Sequence, residues 1–482
     1  MLFNSISFAI FLPIVFILYW FATKGNIRLQ NILLLVSSYF FYASWNWHFL
    51  FLLIFSTLLD YFSGLKIYNA EDRNRKRFWL WLSISINLGF LAVFKYYNFF
   101  ISSFADGLSL IGVGSNFNTL QVLLPIGISF YTFHGLSYVI DIYKDRIKPE
   151  RNFIDYSVFV SFFPLLVAGP IERATHLLPQ ILKKREFDYN KVVDGLRQIL
   201  WGLFKKIVIA DNCAYYANEM FNHSASHNGS SLVIGAIFFT IQIYGDFSGY
   251  SDIALGTARL FGIDLLRNFA YPYFSRDIAE FWRRWHISLS SWFRDYLYYP
   301  LGGSRGGTWL KVRNTIIIFL VSGFWHGANW TYLVWGALHA IYMLPLVLSN
   351  RNRNHIEIVA AGKLLPTVKD VLKIISTFGL VAFALIFFRA DNIKHALSII
   401  GEIFSSSLFM APHFPGESKV GKLVIVLFAF MIIEWLGREE HYALAKFGLN
   451  WHKPLRHAFY YAILIMLFYF GGSEQQFIYF QF

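Results

Sequence analysis

Two histidines carry most of the chemistry that this sequence offers. In the stretch SGFWHGANW, from Ser322 to Trp330, His326 follows IIIFLV, a run apolar enough to lie deep in a membrane. Ionisable groups in a membrane are costly, so each is a functional candidate. Gly323, Gly327 and Ala328 are small, and a second helix or a substrate chain can approach the imidazole closely. A neutral imidazole accepts a proton at physiological pH, which suits a general base that activates a hydroxyl. Position alone leaves open the alternative of a helix-packing histidine with a satisfied hydrogen bond. His286 comes earlier, in FWRRWHISL, where Arg283, Arg284 and Arg294 could hold the phosphates of an acyl donor. Here too a second reading stands: an interfacial histidine among Trp and Arg anchors, with arginines placed by membrane topology. Trp285 and Asn329, from the same two stretches, complete the donor- and substrate-binding candidates. His134, Asp141, Asp246 and Asp252 lie close to apolar segments and read as structural or pathway-lining.

Other chemistries lack their residues. There is no GxSxG elbow, Walker loop, HExxH or dinucleotide fingerprint, so a hydrolase, nucleotidase, zinc protease or dehydrogenase has no support. Cys213 is the only cysteine, which excludes an intrachain disulfide, a thiolate metal cluster and a redox pair. No metal site is expected.

The elements that position these residues belong to a membrane protein. Of 482 residues, 56% are hydrophobic and only 15% charged, and the mean hydropathy of +0.46 lies outside the soluble range. Apolar windows recur along the chain near 5–22, 29–46, 49–65, 78–97, 121–142, 192–211, 231–249, 314–327, 329–349, 371–390, 421–436 and 456–471. This predicts an all-α polytopic protein of about 12 spans forming one membrane domain over 1–482. The first window has neither a basic region before it nor a small-residue cleavage site, and reads as a retained helix rather than a signal peptide. A net charge of +13 fits basic cytoplasmic loops; without an aromatic-basic motif it does not indicate nucleic acid.

Loop charge orients the spans. Lys24 and Arg28, then Lys66, Arg73, Arg75, Lys76 and Arg77, then Lys144, Arg146, Lys148 and Arg151 mark alternate loops, while ASWNWH and ISSFADGLSLIGVGSNFNT carry almost no charge. The positive-inside rule therefore places the N-terminus outside the cytoplasm. The alternation breaks at FIDYSVFVSFFPLLVAGP, which has basic flanks on both sides. Pro164, Gly169 and Pro170 favour a re-entrant segment whose freed backbone groups neighbouring protein must satisfy; a short tilted span is the alternative.

The section from Gly249 to Arg313 is studded with arginine and belongs on the cytoplasmic side. Within it, FWRRWHISLSSWFRDYLYYPLGG reads as one helix at the membrane interface. At about 100° per residue, Trp285, Leu289, Trp292 and Tyr296 share a face opposite Arg283, Ser290 and Arg294, with His286 on the border. LGGSRGG ends it with glycines that permit turns closed to other residues. Further on, NIKHALSIIGEIFSS reads as an extracytoplasmic surface helix and GREEHYALAKFGLNWHKPLRH as a charged cytoplasmic loop. No internal repeat is visible, which weighs against the competing class, a transporter of a glycan or lipid-linked precursor.

Taken together, FWRRWHISLSSWFRDYLYYPLGGSRGG, VSGFWHGANWTYLVWGALHA and SFYTFHGLSYVIDIYKDRI resemble the membrane-bound O-acyltransferase family, most closely its bacterial alginate O-acetyltransferase branch. The resemblance continues through FFPLLVAGPIERATHLLPQ and IYGDFSGYSDIALG to the closing FIYFQF, and so covers nearly the whole chain. It implies helices around a central tunnel that holds the family's invariant histidine, here His326, with His286 as the second motif histidine. It further implies a multi-pass protein of the bacterial inner membrane that takes acetyl groups from cytoplasmic acetyl-CoA, with no bound cofactor. The expected partners are membrane lipid, an extracytoplasmic acetyltransferase of SGNH type and a polysaccharide acceptor reached directly or through it. His326 would then be the general base, and His286 would orient the thioester or donate to the oxyanion. Relatives of this architecture also serve peptidoglycan and, with D-alanine, teichoic acid.

Overall fold

The computed structural model describes residues 1–113, 119–120, 123–167, 169–414, 417–472, 475 and 477–478. Its regular structure is helical, with no strand among the described residues. Hydrocarbon offers no partner for backbone N–H and C=O groups, and a helix satisfies them within its own segment. Ile6, Phe428 and Phe468 are 81%, 71% and 85% exposed, a surface suited to lipid and not to water. Five helices among the described residues are long and apolar enough to cross a membrane: His48–Asn69, Arg73–Leu110, Gly229–Leu260, Trp330–Leu348 and Val368–Arg389. The remaining expected spans also fall on helices, such as Ile6–Ile17 with its π-helical continuation Leu18–Ala22, and Ile27–Ala43. The start of the 121–142 window lies outside the described residues, as do Ala168 and the last four residues of FIYFQF; the rest of that window forms Ile128–Tyr143.

Two helices outrun their expected ends. Arg73–Leu110 continues through a π-helical turn at Ala92–Tyr96 into ISSFADGLSL, which the charge pattern reads as loop. Gly229–Leu260 extends into the supposed cytoplasmic section. In both, nothing halts helix propagation until a glycine takes a left-handed conformation, Gly112 at φ 78° and Gly262 at φ 75°.

The chain divides into two compact units, Met1–Gly195 with Thr257–Leu266, and Leu196–Gly256 with Arg267–Phe482. In the first, His48–Asn69 packs against Arg73–Leu91 and Ile128–Tyr143. Buried Asp60 ties the first two of these helices together by accepting from Ser83 Oγ at 2.6 Å and Asn87 Nδ2 at 2.8 Å. The segment expected to be re-entrant is a broken one. Phe153–Ser161 has 9 residues, a length of about 13 Å, well short of a hydrocarbon core. The chain turns at Phe162 and resumes for a single turn, Phe163–Leu166, with Pro164 near its start. Ser38 Oγ accepts from the Phe163 N–H at 3.0 Å, and His134 Nε2 from the Glu172 N–H at 3.0 Å. Of the two readings open to His134, structural or pathway-lining, this hydrogen bond supports the structural one.

The second unit is built on a helical hairpin, Gly307–His326 and Trp330–Leu348. Gly323 and Gly336 face each other across it, so that a Cβ on either would lie 3.5 Å from the other's Cα and 2.3–2.4 Å from a backbone oxygen of the opposite helix. Small residues allow this backbone contact, and close packing is what holds helices together in lipid. Val368–Arg389 and Ile278–Arg284 pack on Trp330–Leu348. Ile393–Ile403, the expected surface helix, buries only Ala396, Ile399 and Ile403.

The interfacial helix is not continuous. Ile278–Arg284 stops, Trp285 is extended, His286 is left-handed at φ 43° and ψ 54°, and Ile287–Phe293 begins a new helix. Residues 268–270 run beside the break and pair with it: the Ala270 N–H donates to the Arg284 carbonyl and the Ile287 N–H to the Asn268 carbonyl, both at 2.9 Å. The expected faces survive the break in part: Trp285, Leu289 and Trp292 are buried and Arg283 and Arg294 exposed, while Tyr296 and Ser290 are both half-buried. His286 is no border residue but fully buried. Beyond it the glycines of LGGSRGG turn the chain, with Gly302, Gly303 and Gly307 at φ 99°, 59° and 86°.

Candidate active site

His326 is the last residue of Gly307–His326, and extended Gly327 ends the helix directly behind it. The imidazole is 3% exposed. Trp325, Trp335 and Phe388 surround it, with ring centroids 4.9, 5.1 and 5.4 Å away. Trp335 and His339 lie one turn apart on the facing helix, so the hairpin that seats His326 also supplies two of its walls. His339 Nδ1 accepts from the Trp282 Nε1–H at 3.2 Å. An indole N–H only donates, so Nδ1 is bare and Nε2 bears the proton in the neutral ring. The space beside His326 is bounded by Trp285, Phe281, Trp335, His339, Leu385 and Phe388 and measures about 10 Å³, about the least that admits one water.

His286 is linked to His326 through Trp325, whose ring centroid lies 5.9 Å from that of His286 and 4.9 Å from that of His326. Two residues distant in sequence thus share one aromatic neighbour. Trp285 packs on Phe269 and Phe281 at 5.0 and 5.5 Å and lines the space beside His326.

The arginines separate by environment. Arg284 donates to buried Glu280 at 2.8 Å, and Arg276 shares the same carboxylate at 3.0 Å. Arg283 donates to the carbonyls of Asn352 and His355, each at 2.7 Å, and fastens that loop to the helix. Burial, with the charges of Arg276 and Lys373 nearby, pushes the His355 imidazole below its ordinary range. Arg294 pairs with Asp295 at 3.0 Å but remains 56% exposed. It lines a cavity of about 630 Å³, large enough for part of a sizeable ligand. Lys311 and Arg353 line the same cavity, with Ser290, Tyr298, Thr315, Ser322 and Trp282. Asn329 caps Trp330–Leu348 by accepting from the Thr331 N–H at 3.0 Å and donates to the Asp391 carbonyl at 2.8 Å.

The cavity and the space beside His326 share no lining residue. Trp282 and Phe319, with centroids 5.2 Å apart, stand on the cavity side, and Trp282 meets Trp335 and His339 behind it at 5.8 and 5.0 Å. These aromatic side chains stand between the cavity and His326. Sequence reasoning passed over His339, Trp282, Asn268 and Arg353. The signal for His339 was present, since it follows Trp335 by one helical turn inside a motif already singled out. Arg353 and Asn268 lie in irregular segments and carry no such periodicity.

Similarity to known proteins shows the family. The sequence profile of MBOAT, the membrane-bound O-acyltransferase family, matches residues 144–387, a stretch that contains both histidines, Asn268 and the cavity. A protein of Pseudomonas aeruginosa named "Probable alginate O-acetylase AlgI" is 38% identical over 92% of this chain and 82% of its own length. The Pseudomonas putida protein of that name is 36% identical over 100% of both chains. A "Peptidoglycan O-acetyltransferase" of Helicobacter pylori is 38% identical over 83% of this chain and 79% of its own.

Proposed function

We infer the reaction from one premise: the chain belongs to the membrane-bound O-acyltransferase family, and is an O-acyltransferase and a multi-pass membrane protein. In this reading it lies in the bacterial inner membrane with its N-terminus outside the cytoplasm, takes acetyl groups from cytoplasmic acetyl-CoA, and moves them across the membrane for O-acetylation of an extracytoplasmic polysaccharide of alginate type. An SGNH-type partner outside would receive the acetyl group and complete the transfer. Acetyl-CoA is highly charged and the polysaccharide lies outside, so a protein path need pass only the small acyl group.

The observation that carries the reading is His326, buried at the end of a helix with an apolar run before it and beside a small enclosed space, with a cation-lined cavity on the far side of aromatic side chains. His326 removes the proton from the acceptor hydroxyl as its oxygen attacks the thioester carbonyl. The tetrahedral oxyanion then collapses, the C–S bond breaks, and the thiolate of coenzyme A leaves and takes the proton. Arg294, Lys311 and Arg353 fit the donor's phosphates. Arg283 and Arg284 are engaged by the protein and support the donor site through the loop and through Glu280. Trp285 borders the acyl group, while Asn329 acts by capping the helix that carries Trp335 and His339.

Peptidoglycan is the second acceptor to consider, because a relative of that name is as similar as the alginate O-acetylase relatives. The test uses purified protein and labelled acetyl-CoA. His326→Ala is expected to keep its melting temperature and lose about 10² to 10⁴ in transfer rate. Normal transfer by this variant overturns the assignment; transport of a glycan or lipid-linked precursor without acetyl transfer would establish the competing class.

A further inference from the structure

We propose that Asn268 is a positioning residue that locks His286 in one tautomer, with the proton on Nδ1, so that His286 meets the reacting groups as a hydrogen-bond acceptor and not as an oxyanion donor. This rests on the reading above that His286 belongs to the transfer site.

The argument starts from which amide atom faces the imidazole. Asn268 is 1% exposed. Its Oδ1 lies 3.4 Å from the backbone N of Ser288, 2.9 Å from Ser288 Oγ and 3.0 Å from His286 Nδ1. A backbone N–H only donates, so the amide atom turned towards it must be the oxygen. The amide nitrogen turns the other way and donates to Ser251 Oγ at 3.2 Å. A carbonyl oxygen cannot donate; the hydrogen in the contact with His286 therefore sits on Nδ1. In a neutral imidazole that leaves Nε2 with its lone pair. Of the two roles open to His286, donation from Nε2 to an oxyanion requires the opposite tautomer.

Asn268 also fixes where the ring is. Its carbonyl accepts from the Ile287 N–H at 2.9 Å, on the C-terminal side of the left-handed His286. Non-glycine residues rarely adopt this conformation and retain it only where surrounding structure determines it. One residue thus holds the backbone beyond His286 and the nitrogen of its side chain. Phe247, Phe269 and Trp325 pack on the imidazole, with centroids at 4.7, 6.3 and 5.9 Å, and none of the three titrates. Titratable groups stand behind the amide, where Lys205, Asp252, Arg267, Glu434, Tyr244, Tyr271 and His441 line a small cavity with Asn268 and Ser251.

The experiment compares Asn268→Ala, Asn268→Asp and His286→Ala in the purified full-length protein, measuring kcat and KM with labelled acetyl-CoA, the pH–rate profile and the melting temperature. Asn268→Ala is expected to lower kcat by about 10²-fold, as loss of alignment does, with little change in KM for acetyl-CoA. Asn268→Asp keeps an oxygen acceptor for Nδ1–H, so it retains more activity than the alanine variant. Its carboxylate favours the imidazolium and moves the acidic limb of the profile upwards by about one unit or more. Wild-type kcat and pH profile in Asn268→Ala, with transfer lost in His286→Ala, would overturn the proposal and leave the reading of the site intact. Full transfer in His286→Ala would instead remove the premise and the proposal with it. Should Asn268→Ala fail to fold, Asn268→Asp decides: an unshifted profile refutes the lock.

Discussion

Replacing Gly323 by alanine tests the hairpin that builds the site. The added Cβ would stand 3.1 Å from the carbonyl carbon of Tyr332 and 2.3 Å from its oxygen, the latter more than an ångström inside the 3.4 Å at which ordinary contact begins. Backbone cannot rotate away as a side-chain tip does, so Trp330–Leu348 must move off by about 1 Å. Overpacking of this kind costs about 1–3 kcal/mol. The functional loss should be larger in proportion, because the displaced helix carries Trp335 and His339, which wall His326. A misplacement of about 1 Å at a reacting centre costs on the order of 10²-fold in rate. The assay is the initial rate of acetyl transfer from labelled acetyl-CoA in detergent, with the tryptophan-fluorescence melting temperature measured on the same sample. Gly379→Ala, in Val368–Arg389, is the control. Nothing lies within 4 Å of its added Cβ, so it should transfer normally and melt at or slightly above the wild-type temperature. A wild-type rate and melting point in Gly323→Ala would refute the claim that contact between these backbones sets the geometry around His326.

Three further outcomes follow from other parts of the molecule. Leu385→Ala enlarges the space beside His326 and should narrow the preference for acetyl over propionyl donors; one methylene in an apolar pocket is worth about 10- to 200-fold, and an unchanged ratio of kcat/KM values would place the acyl group elsewhere. Lys311→Ala and Arg353→Ala should each raise KM for acetyl-CoA more than they lower kcat, and lessen the sensitivity of KM to salt; an unaltered KM in both would remove the cavity as donor site. His176 donates to buried Glu172 at 2.8 Å, and that hydrogen bond, with the carboxylate charge, raises its pKa above the ordinary 6.5. Its contribution to stability is therefore complete below pH 6.5 and lost as pH rises through the raised value. Melting temperature should fall across that window in the wild type and less steeply in His176→Gln; equal slopes would assign the effect to another group.

Much of the molecule is legible in the sequence because a membrane makes composition decisive. A long apolar window must be helical, and the windows around Val368–Arg389 and His48–Asn69 were found on that ground alone. Small residues beside His326 announced a close helix contact, which Gly323 and Gly336 make. Motif spelling then led to the family, since FWRRWHISL and SGFWHGANW are long and occur in fixed order. Where helices end was less legible: Arg73–Leu110 runs into a segment whose only visible property was lack of charge.

By itself, the sequence determined a helical membrane protein of known family and the two histidines worth naming. The relation between those histidines belongs to the tertiary structure. Period-3.6 patterning describes 281–303 as one helix with His286 at the border of its faces, because periodicity registers only local neighbours. The break at Trp285 and His286 comes from residues 268–270, which take up the backbone hydrogen bonds that a continuous helix would have kept. The same contact inserts Asn268 against His286. The arginines divided for a similar reason. Arg283, Arg284 and Arg294 are alike in sequence, but only folding decided that Glu280 and the carbonyls of Asn352 and His355 occupy the first two while Arg294 faces a cavity. Which polar groups are already satisfied by a distant segment is a property of packing, and it separates a side chain that holds the fold from one that can hold a substrate.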